Sequence, residues 1–549
     1  MRIALGQINT TVGAFAANVD KMITFARRAS ELGADVIVFP ELALTGYPPR
    51  DLVERPSFVE AAELHLAQLA EAISSLQIAG VCGTITRAER GAGKQIQNSA
   101  VVLHRGKILF RQDKMLLPTY DVFDEGRYFL PAEKQKLSAL SGRKTALTIC
   151  EDAWNDRRYW ERRLYTRDPV EELATAGAEV LLSINASPYH MGKRVQRRDI
   201  FTSTAQRYRI PVVYVNQVGG NDHLVFDGSS FAMDAHGRVT AAAKSFEEDL
   251  VTVDIDSGMG QRHETFADEN EAVYQALVLG TYDYLQKCGF RKVLIGISGG
   301  IDSALTAAIA VEAVGRENVT GVAMPGPYSS PESLTDAQAL ADKLGIRLLV
   351  APINDSYQSL VKGLTPAIGE RPAGVADENL QSRLRGVTLM ALSNQTGAIV
   401  LTTGNKSEIA VGYTTLYGDM CGGLAVISDV PKTMVYDLSR IANERHSNAI
   451  PEAVFTKPPS AELRPGQKDS DSLPEYALLD PILEAYVEEM KRPADIAQSL
   501  NVPLAVVRDV VRKVDRAEYK RQQMAPGLKV TTKAFGMGRR IPIAQRFSE

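Results

Sequence analysis

At residue 293 an apolar run, Val293-Leu294-Ile295, gives way to Gly-Ile-Ser-Gly-Gly-Ile-Asp-Ser at 296–303, and Ala304-Leu305-Thr306-Ala307-Ala308 follows. The run reads as a buried parallel strand and the alanine-rich stretch as the first turns of a helix. Glycines at this turn admit left-handed backbone angles and let the backbone approach a ligand closely. Their N–H groups, with the positive end of the helix dipole, make a cradle for an anion. The Gly-Lys-Ser/Thr ending of the ATPase P-loop is missing, so this phosphate loop is of another kind.

The same strand–helix alternation runs through both halves. Strand-like segments fall at 2–7, 36–39, 79–86, 100–103, 146–150, 180–185 and 212–217, and again at 348–350 and 399–401. Two α/β domains are therefore expected, dividing near residue 265. The polar, glycine-containing stretch 258–270 reads as a linker, with a helix over 271–287 leading into the phosphate-loop strand. Residues 457–475 are rich in proline, serine and charge and are too long for an ordinary connection; such a loop is expected to be disordered or a lid over a site. A net charge of -4 with 23% charged residues argues against general nucleic-acid binding and against disorder. The apolar runs are strand-sized, too short to span a bilayer. The start, Met1-Arg2-Ile3-Ala4-Leu5, shows no signal-peptide pattern. The four cysteines, Cys82, Cys150, Cys288 and Cys421, form neither zinc-like pairs nor a disulfide framework. A reduced, cytoplasmic protein is expected.

A second chemical constellation lies in the first half. Cys150 closes the apolar run at 146–149, Glu41 closes another in Phe39-Pro40-Glu41, and Lys114 follows the strand-like 107–111. Matched groups at three strand ends are how α/β enzymes assemble a site. A thiol needs deprotonation, a carboxylate can take its proton, and an ammonium favours first the thiolate and then an oxyanion. Taken singly, each has an ordinary explanation: a packed cysteine, or solvated charges at strand ends.

Family resemblance joins these features. Ser298-Gly299-Gly300-Ile301-Asp302-Ser303 resembles the Ser-Gly-Gly-x-Asp-Ser signature of ATP pyrophosphatases, and the contexts of Glu41, Lys114 and Cys150 resemble the Glu-Lys-Cys triad of the nitrilase superfamily. Glu125, eleven residues after the lysine, falls where that superfamily often carries a second glutamate. The order of the two halves resembles the glutamine-dependent NAD synthetases over essentially the whole chain. The resemblance implies an α/β protein: a nitrilase-like αββα sandwich over 1–260, a linker over 261–275, and a Rossmann-like parallel-sheet domain of ATP-pyrophosphatase type over 276–549. It also implies the final step of NAD biosynthesis, in which deamido-NAD, ATP and L-glutamine give NAD, AMP, pyrophosphate and glutamate. Mg²⁺ is the expected cation, and a homo-oligomer the expected assembly.

Carried over by position, the resemblance makes Glu41 the general base, Cys150 the nucleophile and Lys114 the stabiliser of the tetrahedral intermediate. Tyr120, Ser187 and Lys193 fall at glutamine-binding positions, where hydroxyls and a cation suit an amino acid's polar end. Gly296, Ile297, Ser298, Gly299, Gly300, Ile301, Asp302 and Ser303, with Thr403, are expected around ATP. Asn379, Arg383, Glu408 and Lys520 are expected on deamido-NAD, and Asp302 and Glu408 are the candidate metal ligands. GMP and asparagine synthetases share the adenylating loop but carry different glutaminase domains. An amidase whose ATP domain only senses nucleotide is the other alternative, and an intact phosphate loop weighs against it.

Overall fold

The structure, a computed structural model, describes residues 1–89, 93–156, 159–264 and 268–547. It forms two compact units, Met1–Ala267 and Asp268–Glu549.

The first unit has two six-stranded sheets. One runs in the order Asp249–Asp254, Arg2–Gln7, Val36–Val38, Ala79–Arg87, Ile96–His104, Lys107–Asp113. The other runs Val239–Ala242, Phe231–Met233, Val212–Asn216, Val180–Asn185, Arg143–Ile149, Ser138–Leu140. Strand periodicity explains the layering. Ile3, Leu5, Val36, Val38 and Val81 point inward and pack against Leu147, Ile149, Leu182 and Val215 of the facing sheet. The alternate residues Ala4, Ile37, Cys82 and Val101 point outward beneath the helices Phe15–Glu31 and Pro56–Ser74. On the far side, Ala146, Leu181 and Tyr214 pack under Pro169–Thr175 and Lys193–Tyr208. The expected αββα sandwich is what forms.

The second unit holds a five-stranded parallel sheet in the order Arg347–Val350, Val319–Ala323, Val293–Gly296, Ile399–Thr402, Leu424–Ala425. The phosphate-loop strand is central, and the chain leaves it first to one side and then to the other. That reversal opens a crevice at the carboxyl ends of Val293–Gly296 and Ile399–Thr402, where open α/β sheets take ligands. The helices Glu269–Lys287, Ile301–Val314 and Lys432–Arg445 pack together, and Val375–Thr396 lies against the central strands.

Three local expectations are corrected. The strand Val36–Val38 stops before Glu41, because Phe39 N still bonds Val81 O while Pro40 has no N–H to continue the ladder. Cys150 does not end a strand either: it opens the one-turn helix Cys150–Ala153 with a φ of 45°. The linker expected over 261–275 is structured at both ends. Gln261 and His263 exchange backbone bonds with Ala242, and the helix begins at Glu269, N-capped by the Asp268 carboxylate at 2.8 Å from Glu271 N. Residues 265–267 between them lie outside the described residues. Among the described residues, no helix is long and apolar enough to cross a membrane.

The turn carrying Glu41 is pressed onto the neighbouring strand at Gly83. Gly83 N donates to Pro40 O at 3.1 Å, Gly83 O accepts from Leu44 N at 3.2 Å, and a Cβ on Gly83 would stand 2.1 Å from Leu42 N. Gly83→Ala is therefore expected to lose roughly 1–3 kcal/mol through overpacking against backbone, read as a lower midpoint in thermal or urea unfolding; an unchanged midpoint would show that the turn yields freely.

Candidate active sites

In the first unit, three loops converge at one end of the sandwich. Lys114 is 1% exposed, and its ammonium donates to Glu41 Oε1 at 2.7 Å and Glu125 Oε1 at 2.8 Å. Glu41 is 0% exposed and also accepts from Asn98 Nδ2 at 2.7 Å and Ala186 N at 3.0 Å. Glu125 accepts from the Tyr47 hydroxyl at 2.9 Å, while its Oε2 is buried without a hydrogen-bond partner. Two carboxylates sharing one ammonium in a dry pocket make a tightly constrained cluster.

Cys150 sits within the electrostatic reach of this cluster. Burial pushes its thiol well above the ordinary range, Glu41 pushes it further, and Lys114 pulls it back only in part. Burial likewise lifts Glu125, to about 7. For Lys114 burial works the other way, but Glu125 and Glu41 outweigh it and the ammonium is held charged. Asp152 ties the pieces together. Its carboxylate accepts from Met115 N at 3.0 Å, Leu116 N at 2.8 Å and Ile149 N at 3.2 Å, joining the Lys114 loop to the Cys150 turn.

Glu151, beside the nucleophile candidate, was not foreseen. This buried carboxylate accepts from the Tyr120 hydroxyl at 2.9 and 3.1 Å, and burial raises its pKa while Tyr120, Lys114 and Lys193 oppose the rise. The Lys193 ammonium stands 3.7 Å from the Trp154 ring centroid. Ser187 is buried, its N–H held by Asn216 Oδ1 at 2.9 Å. Tyr120, Ser187 and Lys193 thus each touch a buried partner. The one sequence signal for Glu151 is its place directly after Cys150 in Cys150-Glu151-Asp152.

In the second unit, a cavity of about 320 Å³ opens at the sheet's switch point, and residues 296–303, Thr403, Glu408 and 457–463 line it. Gly299 has a φ of 77°, and a Cβ there would meet Ser333 O at 2.4 Å, so the loop needs glycine on both grounds. Ser298 and Ser303 hydroxyls lie 3.2 Å apart, and Ser298 Oγ accepts from Gly300 N at 3.2 Å, holding the loop open toward the start of Ile301–Val314. Ile297 and Ile301, both buried, also line the cavity.

Asp302 accepts from Asn405 Nδ2 at 2.9 Å and from the Lys432 ammonium. Glu408 lies 3.7 Å from the same ammonium, and burial together with the Asp302 charge lifts it to about 8. Lys432 is buried; desolvation works against its charge, and Asp302 and Glu408 more than restore it. The sequence reading missed Lys432. It begins the helix Lys432–Arg445, where a cation opposes the helix dipole, and such a placement signals a partner elsewhere.

Asn379, Arg383 and Lys520 meet on one turn at 412–416. Asn379 Oδ1 accepts from Thr415 Oγ1 at 2.8 Å, Arg383 Nε donates to Leu416 O at 3.2 Å, and Lys520 Nζ donates to Gly412 O and Thr414 O at 2.8 and 2.7 Å. The long 457–475 segment is ordered against the cavity: Lys457 Nζ donates to Ser333 Oγ at 2.6 Å, and Glu462 accepts from the same hydroxyl at 2.7 Å.

Family models match both units: carbon-nitrogen hydrolase over residues 2–263 and NAD synthase over residues 273–524. A glutamine-dependent NAD(+) synthetase of Synechocystis is 49% identical, with 99% of each chain covered. The chain belongs to the glutamine-dependent NAD(+) synthetase family. A Thermotoga maritima member is 43% identical over 100% of this chain and 99% of its own. The solved structure of the Acinetobacter baumannii synthetase in complex with ADP is 40% identical, covers 99% of this chain and 98% of that one, and superimposes with a TM-score of 0.77.

The resting electrostatics yield a pH prediction for this family member. Because the Glu41 charge raises the Cys150 thiol, Glu41→Gln should lower its pKa and leave Lys114 freer to favour the thiolate. The pH midpoint of Cys150 alkylation by iodoacetamide should then move down relative to the unsubstituted protein. A midpoint that stays or rises would mean that Glu41 carries no charge beside the thiol.

Proposed function

We propose that the chain makes NAD from deamido-NAD, using glutamine as the nitrogen donor and ATP as the activating reagent. The observation that carries this is the presence, in one chain aligned end to end with its family, of a buried Glu41–Lys114 pair beside a thiol and of a glycine-turned anion loop over a cavity.

In the first unit Glu41 takes the Cys150 proton, and the thiolate attacks the glutamine amide carbon. Lys114 steadies the oxyanion, which collapses to a glutamyl thioester as ammonia leaves with the proton from Glu41. Water, activated by Glu41, then releases glutamate. Glu151 and the Tyr120 hydroxyl receive the substrate ammonium, because a buried carboxylate with raised pKa gains most from a fixed cation. Ser187 and Lys193 receive the α-carboxylate.

In the second unit the nicotinate carboxylate attacks the α-phosphorus of ATP and pyrophosphate leaves. Ammonia displaces AMP from the acyl adenylate. Ser298, Gly299, Gly300 and Ser303 cradle the pyrophosphate end, Thr403 lies beside the nucleotide, and Asn379, Arg383, Glu408 and Lys520 hold deamido-NAD. The ADP bound by the Acinetobacter baumannii relative favours a nucleotide in the corresponding cavity.

Asp302 and Glu408 fit Mg²⁺ as donors: they are two hard oxygen ligands close enough for one charge to raise the other's pKa. Among the described residues no group of three or more such side chains gathers, and Asp302 and Glu408 would hold the ion together with oxygens of the bound nucleotide. When bound, Mg²⁺ neutralises phosphate charge, and Lys432 shares that role from the protein's side. Homo-oligomer formation is the remaining part of the reading, and exposed Val387 and Met390 on the helix Val375–Thr396 are candidate contacts.

Two substitutions separate the halves. Cys150→Ala should lower glutamine-dependent NAD formation by on the order of 10⁴-fold or more while ammonium still supports synthesis; equal loss with both donors in a folded variant would refute the division of labour. Asp302→Asn should abolish AMP and NAD formation with either donor, yet leave Cys150 open to a glutamine-like electrophile. Near-normal synthesis would remove Asp302 from the reaction, and ADP in place of AMP in the unsubstituted protein would overturn the adenylation step itself.

A further inference from the structure

The helix Lys193–Tyr208 begins Lys-Arg-Val-Gln-Arg-Arg, a run that reads as a solvated basic face. Arg197 departs from that reading. It is 1% exposed, and its Nη1 bonds both oxygens of Asp227, itself 0% exposed, at 2.6 and 2.8 Å. The remaining donors grip the loop before the helix: Nε reaches Ser187 Oγ at 3.3 Å, and Nη2 reaches Ser187 O at 2.7 Å and Pro188 O at 3.2 Å. Asp227 is fixed in turn by Ser229 Oγ at 2.8 Å.

Burying such a pair costs desolvation on both sides, and apolar replacements of similar volume are often as stable or more so. Stability alone is therefore a weak reason for it. What a guanidinium supplies and a methionine does not is a planar fork of donors in fixed geometry. Here the fork sets the backbone and hydroxyl of Ser187. Lys193 lies four residues before Arg197, on the same face of the helix, so anchoring Arg197 also fixes the turn that carries Lys193 over Trp154. Among the described residues, the hydrogen bonds of Arg197 go to Asp227, Ser187 and Pro188 and none to Glu41, Lys114 or Cys150.

We propose that the Arg197–Asp227 pair is a positioning device that sets the preference for glutamine over simple amides, by holding Ser187 and Lys193 where they meet the amino-acid end of the substrate. This rests on the reading of Ser187 and Lys193 as glutamine contacts. Arg197 reaches Cys150 only through charge at a distance, the last of the causes acting on the guanidinium, so the pair acts chiefly on binding and the two effects can be measured apart.

The test uses the full-length protein with Arg197→Lys, which keeps the charge beside Asp227 but loses the fork, and with the double variant Arg197→Met/Asp227→Leu, which removes both charges and avoids leaving one unpaired. Glutamate release gives KM and kcat for glutamine. Labelling of Cys150 is followed with iodoacetamide, which lacks an amino-acid end, and with 6-diazo-5-oxonorleucine, which has one. KM for glutamine and labelling by the diazo compound should worsen by on the order of tenfold to a hundredfold, with iodoacetamide labelling and kcat nearly unchanged. Unchanged KM and diazo labelling in both variants overturns the proposal. Equal slowing by both reagents overturns it too, since the pair would then be merely structural. Ser187→Ala and Lys193→Ala serve as reference: if neither raises KM, the glutamine-contact reading fails and the positioning proposal falls with it.

Discussion

An ammonium buried between two carboxylates organises the first unit. Lys114 reaches Glu41 and Glu125 within 2.8 Å, and all three side chains are buried from solvent. In such surroundings the carboxylates depend on the ammonium, because removing Lys114 would leave them buried and unpaired at a cost of about 3–5 kcal/mol. The chain therefore supports the cluster from every side: Asn98 and Ala186 on Glu41, Tyr47 on Glu125, and Asp152 lacing the Lys114 loop to the Cys150 turn. Gly83 completes the arrangement by leaving room for the Glu41 turn to lie against the sheet. The sandwich is in this sense a frame for three charges and a thiol.

The second unit solves a similar electrostatic problem differently. Its acidic pair, Asp302 and Glu408, shares Lys432 at a cavity wall. The first site is locked by buried hydrogen bonds, whereas the second keeps its charges at the edge of open space. Charges satisfied by buried hydrogen bonds are held rigidly, whereas charges at a cavity wall can exchange partners.

Much of this was legible in the sequence, for identifiable reasons. Buried parallel strands write themselves as short apolar runs, so Val180–Asn185 and Val293–Gly296 were plain. The phosphate loop was plain because glycine spacing, a flanking strand and a flanking helix agree. Glu41 and Cys150 were found as residues, but their strands end three residues and one residue earlier, since Pro40 and the positive φ of Cys150 stop them and neither effect has an apolar signature. The linker was overestimated because polar composition does not reveal backbone pairing such as that of Gln261 and His263 with Ala242. Lys432, Glu151 and Arg197 were missed for one shared reason. Charged residues are usually solvated, and only tertiary contacts such as Asp302, Tyr120 and Asp227 show that these three are not.

The buried, raised-pKa thiol has a consequence outside the reaction cycle. Peroxide and disulfide oxidants attack thiolate far faster than thiol. Burial and the Glu41 charge both raise the Cys150 thiol, which favours the protonated form that oxidants attack slowly. Cys288, in the second unit, is the exposed cysteine among the described residues and the one that solvent-borne oxidants reach most readily.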